Sequence, residues 1–355
     1  MKIESWKLMG DDGSGPYPLS RAGHADALNP LLKLHASHSF SISDIHSDVH
    51  GLWRYAAMLP LHSFENRVSF CEGFTPLIQE SFGGTNLIFK LEYLFPSGSF
   101  KDRGATVAIS QMKEQGVDCF VEDSSGNAGA ALATYAAKAG MQCEIYISDR
   151  TSISKIKQLT WLGAKVVQVS GTREDVANAA QLRAKEIYYA SHVFNPLFLA
   201  GTKTFAYEVW EQSKGSLPKE ILFPVGNGTL LLGAWIGFEE LRKAGLISFI
   251  PRLSAVQAQN CSPLLNGQYS YAATMAEGIA IQKPARKSQI LEIIEQTAGS
   301  IISVSESDIN EAWSWLSSKG YFVEKTSAVP LAGWIKIKKP ENTLIPLTGH
   351  GLKSI

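Results

Sequence analysis

From residue 86 onward, short apolar runs rich in β-branched residues alternate with helical stretches, and this alternation constrains the fold most. The apolar runs lie at 86–92, 118–123, 143–148, 165–171, 221–226, 253–258, 301–305 and 342–349. Helical patterns occupy 102–116, 127–140, 152–163, 172–190, 229–245 and 306–320. A strand followed by a helix and a further strand pairs in parallel, because a parallel pair needs a crossover connection. The sequence therefore predicts an α/β protein of helix-covered, mainly parallel sheets. A chain of 355 residues has room for two such sheets. No internal repeat or low-complexity linker interrupts it, so the two domains are expected to be joined by short connections.

Composition narrows the function classes. Hydrophobic residues make up 45% and charged residues 19%, the balance of a chain that buries a core. Lys+Arg and Asp+Glu both number 33, so no basic excess is present to hold nucleic acid or an anionic membrane. No run of apolar residues is long enough to cross a bilayer, and residues 1–15 are too polar for a signal peptide. Cys71, Cys119, Cys143 and Cys261 are scattered without a CxxC pair, which points to reduced thiols and a cytoplasmic protein. His24, His35, His38, His46, His50 and His62 crowd the irregular opening segment. Their spacing fits no compact ligand set, so no metal site is expected.

In sheets of this kind, ligands sit beyond the carboxyl ends of the strands. Four polar, glycine-bearing turns fall there. Pro96–Gly104 places one lysine, Lys101, at a helix start. The partial positive charge of a helix N-terminus disfavours an ammonium, which favours an amine acting as nucleophile or base. Read alone, it is equally an ordinary loop with a solvated lysine. Ser124, Ser125, Gly126 and Asn127 follow an apolar run and open an Ala-rich helix. Their N–H groups and hydroxyls suit a carboxylate or phosphate, or simply cap the helix. Gly226, Asn227, Gly228 and Thr229 form a short glycine loop suited to one phosphate, without the GK[ST] of a P-loop. Thr348 stands near the end of the last apolar run, directly ahead of Gly349-His350-Gly351. A lysine nucleophile, a carboxylate nest, a phosphate loop and a hydroxyl together point to pyridoxal 5′-phosphate chemistry.

Beyond residue 50, these motifs resemble the threonine synthase family, within the fold-type II (tryptophan synthase β-like) pyridoxal phosphate enzymes. Leu52-Trp53-Arg54-Tyr55 with Leu59-Pro60, Glu72-Gly73-Phe74-Thr75-Pro76-Leu77 and Gly98-Ser99-Phe100-Lys101-Asp102-Arg103-Gly104 carry the resemblance. So do Val256-Gln257-Ala258, Cys261, Pro263, Glu277-Gly278-Ile279, Thr326-Ser327-Ala328 and Thr348-Gly349-His350-Gly351. The resemblance implies that Lys101 is the Schiff-base and proton-shuttling lysine, and that Asn127 lies beside the cofactor's 3′-oxygen. It implies that Gly226, Asn227, Gly228 and Thr229 take the cofactor phosphate, and that Thr348 faces the pyridine nitrogen. Ser124, Ser125 and Gly126 are then the substrate-carboxylate loop. A hydroxyl partner for the ring nitrogen makes a weaker electron sink than a carboxylate, suited to elimination and replacement. The expected division is an irregular segment 1–60 packed on a large cofactor-binding domain (61–102 and 191–355), with a smaller, movable domain inserted at 103–190.

The departures fall on the substrate side. Phe95-Pro96-Ser97 stands where the family reads Asn-Pro-Thr, Glu324-Lys325 replaces Glu-Pro, and the phosphate loop is less polar than the family's Asn-Ala-Gly-Asn. Ahead of Gly201-Thr202-Lys203-Thr204, the family's Asn-Ser-x-Asn-Pro-x-Arg becomes His192, Val193, Asn195, Pro196 and Phe198. A phenyl ring in place of a guanidinium removes the best ligand for a phosphorylated tail. Three activities are therefore in view. One is threonine synthesis from O-phosphohomoserine. Another is β-elimination or β-replacement on a serine-type amino acid. The third is a silent, cofactor-binding member, against which the intact Lys101 argues. A small amino-acid substrate and a homodimer are expected.

Overall fold

The computed structural model describes residues 6–24, 31–36, 39–265 and 272–354. They divide into two compact units, one of Met1–Gly73 with Lys101–Thr202 and one of Phe74–Phe100 with Lys203–Ile355. The first unit opens with an antiparallel pair, β1 (Trp6–Gly10) and β2 (Leu32–Ala36). The chain then contributes β3 (Leu77–Phe82) and β4 (Thr85–Lys90) to the second unit. Gly83 and Gly84 both take positive φ in the tight turn between them, which glycine allows without a steric penalty.

Returning to the first unit, the chain forms α1 (Lys101–Glu114), β5 (Cys119–Glu122), α2 (Asn127–Ala139), β6 (Gln142–Ser148), α3 (Ile153–Trp161), β7 (Lys165–Val169), α4 (Arg173–Arg183), β8 (Tyr188–Tyr189) and α5 (Pro196–Thr202). The strands make a parallel sheet ordered β7-β6-β5-β8. Local chemistry sets the helix ends. Thr172 and Asp175 form a reciprocal capping box ahead of α4, and Gly140, at φ 68°, stops α2.

The second unit continues with α6 (Thr204–Gln212), β9 (Glu220–Pro224), α7 (Thr229–Lys243), β10 (Arg252–Ala258), α8 (Lys287–Gln296), β11 (Ile301–Val304), α9 (Glu306–Ser318), α10 (Lys325–Lys336) and β12 (Thr343–Pro346). Its sheet runs β11-β10-β9-β12-β4-β3, parallel except for the edge strand β3. The predicted α/β class with mainly parallel sheets is the observed one. Each unit has its own core. Ile109, Phe120, Leu132 and Ile145 anchor the first, and Phe89, Leu222, Val256 and Trp334 the second.

Two expectations differ from the structure. The helix expected over 172–190 ends at Arg183, and Tyr188–Tyr189 form β8 instead. The aromatic pair fits a pleated, half-buried surface, and Phe120 and Val121 pair with it. The opening segment, expected on the larger part, groups with 101–202: Leu8 and Leu32 pack into the same cluster as Ala105 and Phe120. Gly23 lies so close to the Tyr188 ring that no Cβ fits there. Among the described residues, no group of three His, Cys, Asp or Glu could hold a metal, and no helix is long and apolar enough to cross a membrane. His38 lies outside the described residues.

Candidate active site

Lys101 opens α1, immediately after the Gly98-Ser99-Phe100 turn. Burial pushes its amine down to about 8 from 10.5, against the opposing pull of the Glu122 charge. At that value roughly one amine in ten is neutral at pH 7, against fewer than about one in a thousand for an ordinary lysine. The Lys101 Nζ lies 5.7 Å from the centroid of the Phe198 ring, and that ring meets His192 edge-on with centroids 6.1 Å apart. Three residues named from the sequence therefore stand together in the first unit.

Phe198 stands on α5. Its ring is fully buried within the first unit's core, packed so closely on Gly104 that a Cβ there would overlap it. It is a wall beside Lys101, and α5 holds it there.

Glu122, which the sequence reading did not single out, completes the group. It ends β5, and His192 follows β8, the strand paired beside β5. The His192 Nδ1 is 2.6 Å from the Glu122 Oε1, and the His192 backbone N–H donates to Oε2 at 3.3 Å. Both side chains are buried. Burial, with the neighbouring Asp123 charge, holds the Glu122 carboxyl well above its usual range. Burial, with Lys101, holds the His192 imidazole well below its own. A carboxylate pair at the end of an otherwise apolar strand was the signal available in the sequence.

Ser124, Ser125, Gly126 and Asn127 turn out of β5 into α2, all half-buried. The Gly126 N–H donates to the Ser124 Oγ at 3.3 Å. Gly129 sits directly against the Ser124 carbonyl, so no larger residue fits, and the turn lies flat on the helix. The N–H groups that open α2 are the donors an anion would use.

In the second unit, β9 leads into Gly226-Asn227-Gly228 and α7 begins at Thr229. Gly226 sits tightly, since a Cβ would stand 3.0 Å from the Ile279 Cα. Gly228 is required by conformation as well, at φ 73° and with a Cβ position 2.5 Å from the Ile290 Cδ1. The Gln257 side chain fixes the loop's approach by donating to the Val225 carbonyl at 2.9 Å. The first turn of α7 carries no acidic residue, and its N–H groups suit a phosphate.

Thr348 follows β12 and is buried, its Oγ1 3.2 Å from the Ser327 Oγ. The Ser327 hydroxyl accepts from the Gly349 N–H at 2.9 Å. The Phe100 N–H donates to the Thr348 carbonyl at 3.1 Å and the His350 N–H to the Gly98 carbonyl at 2.9 Å. The segment leading into Lys101 is thus strapped to the Thr348 turn. Inside that strap, the fully buried Ser99 hydroxyl has no hydrogen-bond partner. Such an atom costs about 1–3 kcal/mol unless a bound group satisfies it. In the second unit, the orphaned hydroxyl and the glycines before a helix N-terminus suit a phosphorylated ligand, and in the first unit the depressed lysine suits a carbonyl group; pyridoxal phosphate carries both functions.

Comparison with known proteins gives the family. The family described as pyridoxal-phosphate dependent enzyme matches residues 68–349. A threonine synthase of Methanocaldococcus jannaschii is 34% identical over 326 residues, 85% of this chain and 80% of the relative. Another, from Methanosarcina acetivorans, is 30% identical over 351 residues, 92% of this chain and 86% of the relative. Among solved structures, an O-ureido-L-serine synthase superposes with a TM-score of 0.68 at 22% identity, over 79% of this chain and 90% of that one, a likeness of fold.

Proposed function

The chain belongs to the pyridoxal-phosphate dependent enzyme family, with the fold-type II architecture, and on that premise we propose that it is a threonine synthase-like lyase acting by elimination or replacement on a small amino acid. The observation that carries this reading is Lys101, an amine depressed to about 8 at the start of α1. When bound, the cofactor supplies an electron sink for charge developing on the substrate's carbon atoms. The chain's own residues do the rest. Lys101 would anchor the cofactor and move protons at the substrate's α-carbon and beyond, which its accessible neutral form permits. The N–H groups of Gly226, Asn227, Gly228 and Thr229, with the Thr229 hydroxyl, would hold the phosphate. Thr348 would offer the ring nitrogen a hydroxyl, which favours elimination over transamination. Asn127 would hold the ring's 3′-oxygen, and Ser124, Ser125 and Gly126 the substrate carboxylate.

His192 and Phe198 would face the substrate's tail, and here a second reading has an observation behind it. Beside Lys101 stand a buried phenyl ring and, against that ring, an imidazole held toward its neutral form. Neither offers the bidentate guanidinium that suits a phosphorylated tail. β-Elimination or β-replacement on a serine-type amino acid therefore stands beside threonine synthesis. The same reading takes the enzyme to be a cytoplasmic homodimer.

A substrate panel decides between them. Values of kcat/KM are measured for O-phosphohomoserine, O-phosphoserine, serine, threonine and O-acetylserine, with the native chain and with Phe198→Arg. A charge-assisted contact is worth roughly 1.5–3 kcal/mol, so its absence weakens a phosphorylated substrate by about ten- to a hundredfold. The uncharged substrates are expected to lead the panel. If O-phosphohomoserine leads and the arginine adds nothing, threonine synthesis is the activity. If no substrate turns over, the lyase reading fails.

A further inference from the structure

We propose that Glu122 and His192 form a positioning pair for Lys101, in which Glu122 keeps the shared proton, donates it to Nδ1 of His192, and so adds no net charge beside the lysine. The pair rests on geometry first. Glu122 is fully buried at the end of β5, and the backbone bond from Ala190 to Val121 sets β8 beside it. That pairing delivers His192, whose Nδ1 reaches Oε1 at 2.6 Å and whose N–H reaches Oε2. The edge-on contact with Phe198 fixes the imidazole plane, and Phe198 in turn lies beside the Lys101 Nζ.

Burial decides first where the proton sits, and the Asp123 charge adds to it at Glu122, while Arg173 and Lys101 pull the other way. Asp123, next in the chain, meets Arg173 of α4, 2.6 Å from Oδ2, and the Tyr189 hydroxyl of β8, which donates to Oδ1 at 2.9 Å. A second carboxylate beside it in a buried setting is disfavoured. An imidazolium is disfavoured by the same burial and by the Lys101 charge. The charged pair would carry two desolvation costs, and the neutral pair keeps the same short hydrogen bond without them. An ionised Glu122 would also attract and hold the ammonium form of Lys101. Storing the proton on Glu122 removes that pull, and the amine becomes available at lower pH.

This inference rests on Lys101 as the reactive amine, and its test needs neither turnover nor substrate, so it can fail while the substrate panel stands. The full-length protein is pulsed with acetic anhydride across a pH series before pyridoxal phosphate is added. Acetylation of the Lys101 peptide is read by mass spectrometry. In Glu122→Gln the amide still donates to Nδ1, so the midpoint is expected to stay with the native one. In His192→Gln the ring acceptor is replaced by an amide that can turn its NH2 to the carboxyl, which favours the carboxylate. The midpoint should then rise by about one unit, giving about tenfold less labelling at neutral pH. Adding Glu122→Gln to that variant should restore it. A lower midpoint in Glu122→Gln would show an ionised carboxylate in the native protein and overturn the proposal. An unmoved midpoint in His192→Gln would reduce the pair to a structural contact. Independently of any refolded variant, the native protein near neutral pH should show the infrared carbonyl band of a protonated carboxyl, and a spectrum without it overturns the proposal.

Discussion

In Lys101→Ala, kcat falls by about 10²- to 10⁴-fold, the usual contribution of a positioned proton-transfer group. The size of the loss follows from the three things this side chain would do. It would anchor the cofactor, take a proton and return one, and no neighbour can take over. His192 is tied to Glu122 through Nδ1 and held toward its neutral form. The fold should survive, because Lys101 occupies the first position of α1 and alanine is the best helix former. The expected result is therefore a protein with native circular dichroism and thermal midpoint, and with turnover close to background. A variant that retained more than about a tenth of native kcat would place the chemistry on another residue.

Gly228→Val weakens cofactor binding with an effect of similar size. At φ 73° the backbone lies in the left-handed region, which costs an L-residue roughly 1–2 kcal/mol. The new Cβ would stand 2.5 Å from the Ile290 Cδ1, and relieving that contact costs about 1–3 kcal/mol more. The loop can escape both by reorienting the turn ahead of α7, which removes the N–H groups from the phosphate. Spectroscopic titration with pyridoxal phosphate should then show affinity reduced by about 10²- to 10³-fold. Gly245→Val is the control. That glycine is also at positive φ, with nothing within 4 Å of a Cβ position and no place in the phosphate loop. If both variants bind the cofactor natively, the loop at 226–229 does not hold it.

Much of this molecule is legible in the chain itself, for physical reasons. The alternation of apolar strands and helical patterns fixes parallel sheets, because each helix must bury a face on a sheet. Loop chemistry is legible where it is local. Lys101 at a helix start, Gly226 and Gly228 before α7 and Thr348 after β12 are all marked by neighbours in sequence. What sequence reading lost was non-local. Glu122 and His192 are 70 residues apart, and only the pairing of β5 with β8 joins them. That strand was itself hidden in a helical pattern, since Lys185-Glu186-Ile187 continues the periodicity of α4. Phe198 was legible as a departure at a substrate position. Its burial against Gly104 was not, because the glycine that admits the ring lies in another helix.

If Lys101 carries the cofactor, it can be trapped there. The cofactor-loaded protein is reduced with borohydride, digested and mapped by mass spectrometry. One pyridoxyl group is expected, on the peptide containing Lys101, and none in Lys101→Ala. Labelling of another buried lysine, Lys203 or Lys90, with Lys101 unmodified would contradict it.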